Sequence, residues 1–308
     1  MNSIIYHMNN IEQCCDLTAT DTFIFSLTTE KRSTKSFEYL LNNGLSIKNI
    51  IVIKYTEDKI PDSILEYFKH YNVTIIRGDT LPIKFIMQIK KLNIDIWGSK
   101  ILIDISCIKI PEIFSIIKYF KVIIPGVDLQ VLYSIPYDYN FSKEPFTSYR
   151  SFIGDLSMYE LFGFSGVSHE TNNDLYLFMG FEGALALKVT EDTAYKELNL
   201  INNLPSFYQK YKDISIVNNY QLMQNQKSCM LYTPADNPFE TYNLLENSIG
   251  SDTYACIAPL STKPVALGVC LFALSHEKVR VVYPISQKYN ASNTVDTYKT
   301  YVYNISLQ

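Results

Sequence analysis

Many signatures of specific chemistry are missing from this 308-residue chain. It has no G-x-x-x-x-G-K-[ST] segment, no H-E-x-x-H, no G-x-S-x-G and no Arg followed at four to six residues by His. These absences exclude a Walker-type phosphate loop, a zincin helix, a nucleophile elbow and an R-x(4-6)-H ribonuclease motif. The six cysteines (Cys14, Cys15, Cys107, Cys229, Cys256 and Cys270) include no C-x-x-C, and the four histidines (His7, His70, His169 and His276) form no ligand cluster. That pattern reads as reduced thiols in a cytosolic protein, with no metal and no cofactor expected. There is no block of like charge: 27 Lys+Arg stand against 31 Asp+Glu, a net charge of -4. Broad binding to duplex DNA needs a basic surface and is not expected. The start, M-N-S-I-I-Y-H-M-N-N, lacks the basic region and long apolar core of a signal peptide. The most apolar stretch, Lys100 to Pro125, is broken by Asp104, Lys109, Glu112, Lys118 and Lys121, which argues against a membrane span. One Trp beside 24 Tyr, with much Ile, Lys and Asn, fits an AT-rich coding genome.

What is present is a repetition. Q-V-L-Y-S-I-P-Y-D-Y-N-F-S (Gln130 to Ser142) and R-V-V-Y-P-I-S-Q-K-Y-N-A-S (Arg280 to Ser292) match without a gap at Val131/Val281, Tyr133/Tyr283, Ile135/Ile285, Tyr139/Tyr289, Asn140/Asn290 and Ser142/Ser292. A strand, a polar turn and an apolar helix pattern precede each block. The pattern predicts two similar lobes related by a pseudo-twofold axis, with a shared cleft.

Each half alternates short apolar runs with amphipathic segments, which predicts an α/β protein of two Rossmann-like lobes with parallel sheets related by internal duplication. In the first copy, T-F-I-F-S-L, I-K-N-I-I-V-I-K-Y, V-T-I-I-R-G-D, K-I-L-I-D-I-S and L-Q-V-L-Y-S-I read as strands. In the second, L-Y-L-F-M, I-S-I-V-N, M-L-Y-T, Y-A-C-I-A and V-R-V-V-Y-P-I do so. The boundaries expected are 1–140 for the first lobe, 141–173 for a packed inter-lobe connection with a helix around Leu156 to Leu161, and 174–308 for the second lobe. Thr297 to Ile305 reads as an edge strand closing the second lobe.

Ligands of open parallel sheets bind at the carboxyl ends of the strands, where helix N-termini favour anions. Four turns qualify. Ser261-Thr262-Lys263 offers two hydroxyls and a cation to a phosphate, or a plain helix cap. Gly180-Phe181-Glu182-Gly183 permits close backbone approach, or forms a simple strand–helix turn. Thr28-Thr29-Glu30-Lys31-Arg32-Ser33 holds a carboxylate near a guanidinium, and Asp104-Ile105-Ser106 ends an apolar strand on an acid. Tyr133 and Tyr283, with Tyr139 and Tyr289, either stack on bases or pack the rim.

Two Rossmann-like units with a hydroxyl-Lys loop after a strand resemble the CARF and SAVED ligand-sensing domains of prokaryotic antiviral systems, a SAVED domain being similar to two fused CARF units. Ser261-Thr262-Lys263, followed by the apolar helix from Val265, resembles that family's Gly-Thr-Lys loop without its glycines. The resemblance implies a nucleotide or short oligonucleotide ligand. It also implies a protein partner that carries the effector, since no nuclease, protease or membrane module is fused. A second reading is a nucleotide hydrolase, transferase or nuclease using Glu30, Arg32, Asp104 or Glu182 as acid, base or charge clamp. A third is a structural subunit of a defence complex.

Overall fold

The computed structural model describes residues 6–11, 17, 19–28, 30–44, 46–55, 62–78, 82–92, 100–124, 126–139, 152–166, 173–224, 228–289 and 294–307. The chain divides into two compact units, Met1–Asn140 together with Ala291–Gln308, and Phe141–Asn290. The crossings fall after Asn140 and Asn290, which are equivalent positions in the sequence repeat.

The first unit runs β1 (Tyr6–Asn10), β2 (Ala19–Leu27), α1 (Arg32–Asn42), β3 (Ser46–Lys54), α2 (Asp62–Phe68), β4 (Asn72–Arg77), α3 (Pro82–Lys90), β5 (Lys100–Asp104), α4 (Ile110–Ile123) and β6 (Val127–Tyr139). The second runs β7 (Phe152–Ser165), β8 (Asn173–Phe178), α5 (Gly183–Asp192), β9 (Tyr195–Asn203), α6 (Gln209–Asn218), α7 (Tyr220–Met223), β10 (Ser228–Thr233), α8 (Pro238–Ser248), β11 (Ala255–Pro259), α9 (Lys263–Ser275) and β12 (Val279–Tyr289). β13 (Thr294–Leu307) then returns to the first unit.

Both sheets contain the same five-stranded parallel core: β4-β3-β2-β5-β6 in one and β10-β9-β8-β11-β12 in the other. These are doubly wound, Rossmann-like α/β units with a topological switch point between the first and fourth strands of each core. Burial explains the strand sequences. β11, A-C-I-A-P, is buried along its whole length, and β3 is buried from Ile50 to Ile53, as a parallel sheet covered on both faces requires. In the first unit Phe23, Phe25 and Phe37 stack at centroid distances of 4.8 and 5.4 Å and seat α1 on the sheet. In the second, α9 is buried from Pro264 to Ala273, and α8 beside it begins on an Asn237 cap followed by Pro238.

Beyond each fifth strand lies an antiparallel sixth, and the two sixth strands are exchanged. β7 follows β6 in sequence but pairs with β12, whereas β13 follows β12 but pairs with β6. Each sheet is therefore completed by the strand that trails the other half's core. This departs from the sequence expectation at three places. The segment 141–173 supplies a strand of the second sheet, and its Leu156 to Leu161 portion is strand rather than helix. Thr297 to Ile305 belongs to the first unit and lies between β1 and β6 instead of forming an edge of the second. I-S-I-V-N is the end of α6, with Tyr211, Ile214 and Ser215 turned inward at helical spacing, and the strand expected there is β9.

Among the described residues, Cys107, Cys229, Cys256 and Cys270 carry thiols and form no disulfide, and no group of His, Cys, Asp and Glu is arranged to hold a metal. No described helix is long and apolar enough to cross a membrane.

Candidate functional site

At the switch point of the first unit, the turns after β2 and β5 leave adjacent, paired strands. The Arg32 side chain enters this end of the sheet and is almost wholly buried. Its Nε donates to Glu30 Oε2 at 2.6 Å, its Nη1 approaches the Ser134 carbonyl at 3.4 Å, and the guanidinium sits 6.0 Å from the Tyr133 ring centroid. Glu30 Oε2 also accepts from Thr294 Oγ1 at 2.7 Å, so β13 closes this corner. Burial is the largest influence on Arg32 and would lower its pKa. The Glu30 charge, with smaller contributions from Cys107, Tyr133 and Tyr139, more than offsets it and holds the guanidinium well above its ordinary value. Burial raises the Tyr133 phenol, against the opposing pull of Arg32.

A second chain of bonds lies beside the first. Asp104 Oδ1 accepts from the Ser106 amide at 2.8 Å, Ser106 Oγ accepts from the Ser134 amide at 2.7 Å, and Ser134 Oγ meets Thr300 Oγ1 of β13 at 2.8 Å. Satisfied networks of this kind fix side-chain geometry. Ser33 Oγ donates to the Thr28 carbonyl at 3.1 Å, and Thr28 Oγ1 accepts from the Glu30 amide at 3.2 Å, which sets the turn. Thr29 lies outside the described residues. The structure thus brings Glu30, Arg32 and Tyr133 into one cluster, and joins Asp104 and Ser106 to it through Ser134. Tyr133 is buried, so its ring faces Arg32 and the interior rather than a base.

The carboxylates at this end point inward: Asp104 and the Glu112 of α4's first turn are buried, and Glu30 is held by Arg32 and Thr294. The cations are nearer the solvent. Lys31 is exposed at the N-cap of α1 and Lys109 half-exposed at the N-cap of α4, and neither helix has a side-chain cap. Lys109 also lies over the Tyr55 ring, 4.5 Å from its centroid, while its amide donates to Tyr55 Oη at 2.8 Å. A cation at the positive end of a helix dipole costs about 0.3–1 kcal/mol, whereas an anion there is stabilised. Thr294 and Thr300 carried no signal in the sequence, because β13 reaches this site only through strand exchange.

The corresponding turns of the second unit are closed by the protein itself. A β-carbon on Gly180 would overlap the Leu260 carbonyl oxygen, and one on Gly183 would overlap that of Asn218. The Gly180 carbonyl accepts from Asn219 Nδ2 at 2.8 Å and Ser215 Oγ at 3.2 Å, and the Phe181 carbonyl accepts from Asn218 Nδ2 at 2.5 Å. Both glycines therefore serve internal backbone approach. Glu182 is the N-cap residue of α5 but makes no side-chain cap. Ser261 Oγ donates to Asn203 Oδ1, and Thr262 Oγ1 donates to the Ala235 carbonyl at 2.5 Å while accepting from the Val265 amide as the α9 cap. Lys263 begins α9, and Tyr283 is half-buried against the second unit's core. Gly180→Ala is expected to lower stability by about 1–3 kcal/mol through overpacking. The check is the urea midpoint; a variant as stable as the parent would refute this account of the turn.

No family model matches the chain, and no curated protein matches it. Among solved structures it is similar to the cytoplasmic domain of a prokaryotic cation chloride cotransporter, at 9% identity over 87% of this chain and 96% of that one, with a TM-score of 0.27. A universal stress protein from Archaeoglobus fulgidus DSM 4304 is similar at 11% identity over 88% and 97%, with a TM-score of 0.26. An N-terminal ketoreductase from a macrolactin assembly line is similar at 10% identity over 90% and 72%, with a TM-score of 0.24. Scores this low assign no activity to the chain.

Proposed function

We propose that this protein binds an anionic nucleotide or short oligonucleotide at the carboxyl end of the first unit's sheet, and that binding rather than turnover is its function. The observation that carries the reading is the arrangement of charge there. Lys31 and Lys109 head two uncapped helices that leave neighbouring central strands, while the nearby carboxylates are turned inward. An anion between such helix ends would meet the positive ends of two helix dipoles and offset the unfavourable placing of two cations. Glu30 and Asp104 already accept hydrogen bonds from protein donors, which supports structural roles for them over proton transfer. On this reading a protein partner receives the signal, as the resemblance to CARF and SAVED domains implies.

The test is calorimetric titration of the full chain with mononucleotides, dinucleotides and cyclic oligonucleotides, with the products analysed by mass spectrometry. One ligand should bind unchanged. Lys31→Glu and Lys109→Glu should each weaken it about tenfold, the loss of about 1.4 kcal/mol expected for a charged contact. Failure of every nucleotide to bind would refute the proposal, and conversion of one would make the protein an enzyme.

A further inference from the structure

The second unit contains a pocket of about 300 Å³ at the opposite end of its sheet, formed by β7, β12 and the turn from α5 to β9. That volume is at the lower end of the range small ligands occupy. Arg280 lies in its wall. In the first unit the equivalent residue is Gln130, which faces Asn304 in an unbroken register and donates to it at 2.9 Å. In the second unit the register breaks at this point: Arg280 is opposite Ser165 and Val282 opposite Glu160, so four residues of β7 stand against Val281 alone. Bulges re-aim side chains and interrupt pairing. Here the bulge accompanies a change from a neutral amide pair to a loosely matched pair of charges. Arg280 Nη1 is 3.7 Å from Glu160 Oε1, beyond hydrogen-bond reach. Arg280 also lies against the buried Cys256 thiol, which burial raises to about 11 despite the guanidinium.

Glu160 matches this guanidinium only loosely, and the planar fork suits a carboxylate. A simple anion is disfavoured, because Glu160 and Asp192 also line the pocket. Asp192 is already paired with Lys188, whose Nζ lies 2.9 Å from Oδ2 and 3.1 Å from Oδ1, which leaves Glu160 as the better matched acid for an ammonium. A molecule with a carboxylate for Arg280 and an ammonium for Glu160 or Asp192 answers both signs of charge. The remaining wall, Met158, Tyr159, Thr193, Ala194 and Val282, carries no charge and suits an uncharged side chain. We infer that this pocket binds a free α-amino acid with an uncharged side chain, independently of the anion site in the first unit.

The experiment is calorimetric titration of the full chain with the twenty amino acids, each hit repeated with its decarboxylated amine and its deaminated acid. At least one amino acid should bind, and both truncated analogues should bind at least tenfold more weakly. Arg280→Gln and Glu160→Gln should each weaken binding at least tenfold. Ala194→Trp, at an exposed position on the rim, should block the pocket while leaving every charge in place and the thermal midpoint unchanged. Absence of binding by all amino acids would overturn the inference. So would equal binding of the deaminated acid, which would indicate only an anion site, or undiminished binding by the folded Ala194→Trp variant.

Discussion

Deleting residues 291–308 is expected to unfold the first unit while leaving the second protected against hydrogen exchange. β13 lies between β1 and β6, so its loss removes β1's partner in the sheet and opens one flank of β6. It also removes Val302, Tyr303, Ile305 and Leu307, all 4% exposed or less. At about 1.5–3 kcal/mol for each large buried side chain, the loss is on the order of 6–12 kcal/mol. That is comparable with the whole stability of an ordinary domain, about 5–15 kcal/mol. Exchange should accelerate across β5, β6 and α4, while β8, β9 and β11, which have no partner in β13, keep their protection. A peptide of residues 291–308 added in trans should restore the lost protection. Unchanged exchange in β6 after the deletion would rule out the strand exchange described above.

Replacing Arg32 with Met should destabilise the protein by about 3–5 kcal/mol, the usual cost of leaving one charge of a buried pair alone. Glu30 would then lose its guanidinium partner while still accepting from Thr294, in a corner where the carboxylate is largely shielded from water. The double variant Arg32→Met, Glu30→Gln should recover most of the loss, because a neutral amide can still accept from Thr294. The coupling between the two positions, read from urea midpoints of the four proteins, should therefore be about 2 kcal/mol or more. A single variant as stable as the parent would show that the pair contributes nothing. Failure of the double variant to recover would shift the cost to lost packing on Tyr133.

The alternation of strand and helix was legible in the sequence wherever strands were continuous apolar runs, as in I-I-V-I of β3 or C-I-A of β11. β9 was not, because Y-K-E-L-N-L-I-N-N mixes charged and amide residues into its first half and buries only its last four positions continuously. The short apolar run of α6 resembled a strand for the converse reason: its buried residues recur at helical spacing within a polar helix. Of the site, the turn Thr28 to Ser33 and the acid at Asp104 were legible from their place after apolar strands. The partners that complete them were not. Glu30 and Thr294 are 264 residues apart, and nothing local in β13 tells which sheet it joins. Tyr133 was legible as a repeated residue but not as a buried one. Gly180 and Gly183 were legible as positions of close approach; what approaches them is the protein's own backbone.

The exchange of sixth strands also sets an order of events during synthesis. Domains ordinarily fold from the N-terminus as they emerge, at about 5–20 residues per second. Here the second unit is contiguous, Phe141–Asn290, and can complete its sheet as soon as it is made. The first unit, though translated earlier, must wait for β13 with the flank of β6 unpaired. The 150 residues between the two crossings correspond to a delay of about 8–30 s at those rates. Throughout that interval the nascent first unit presents an open, apolar strand edge to its surroundings, so this protein's dependence on chaperones should be concentrated in its first half and end when its final strand docks.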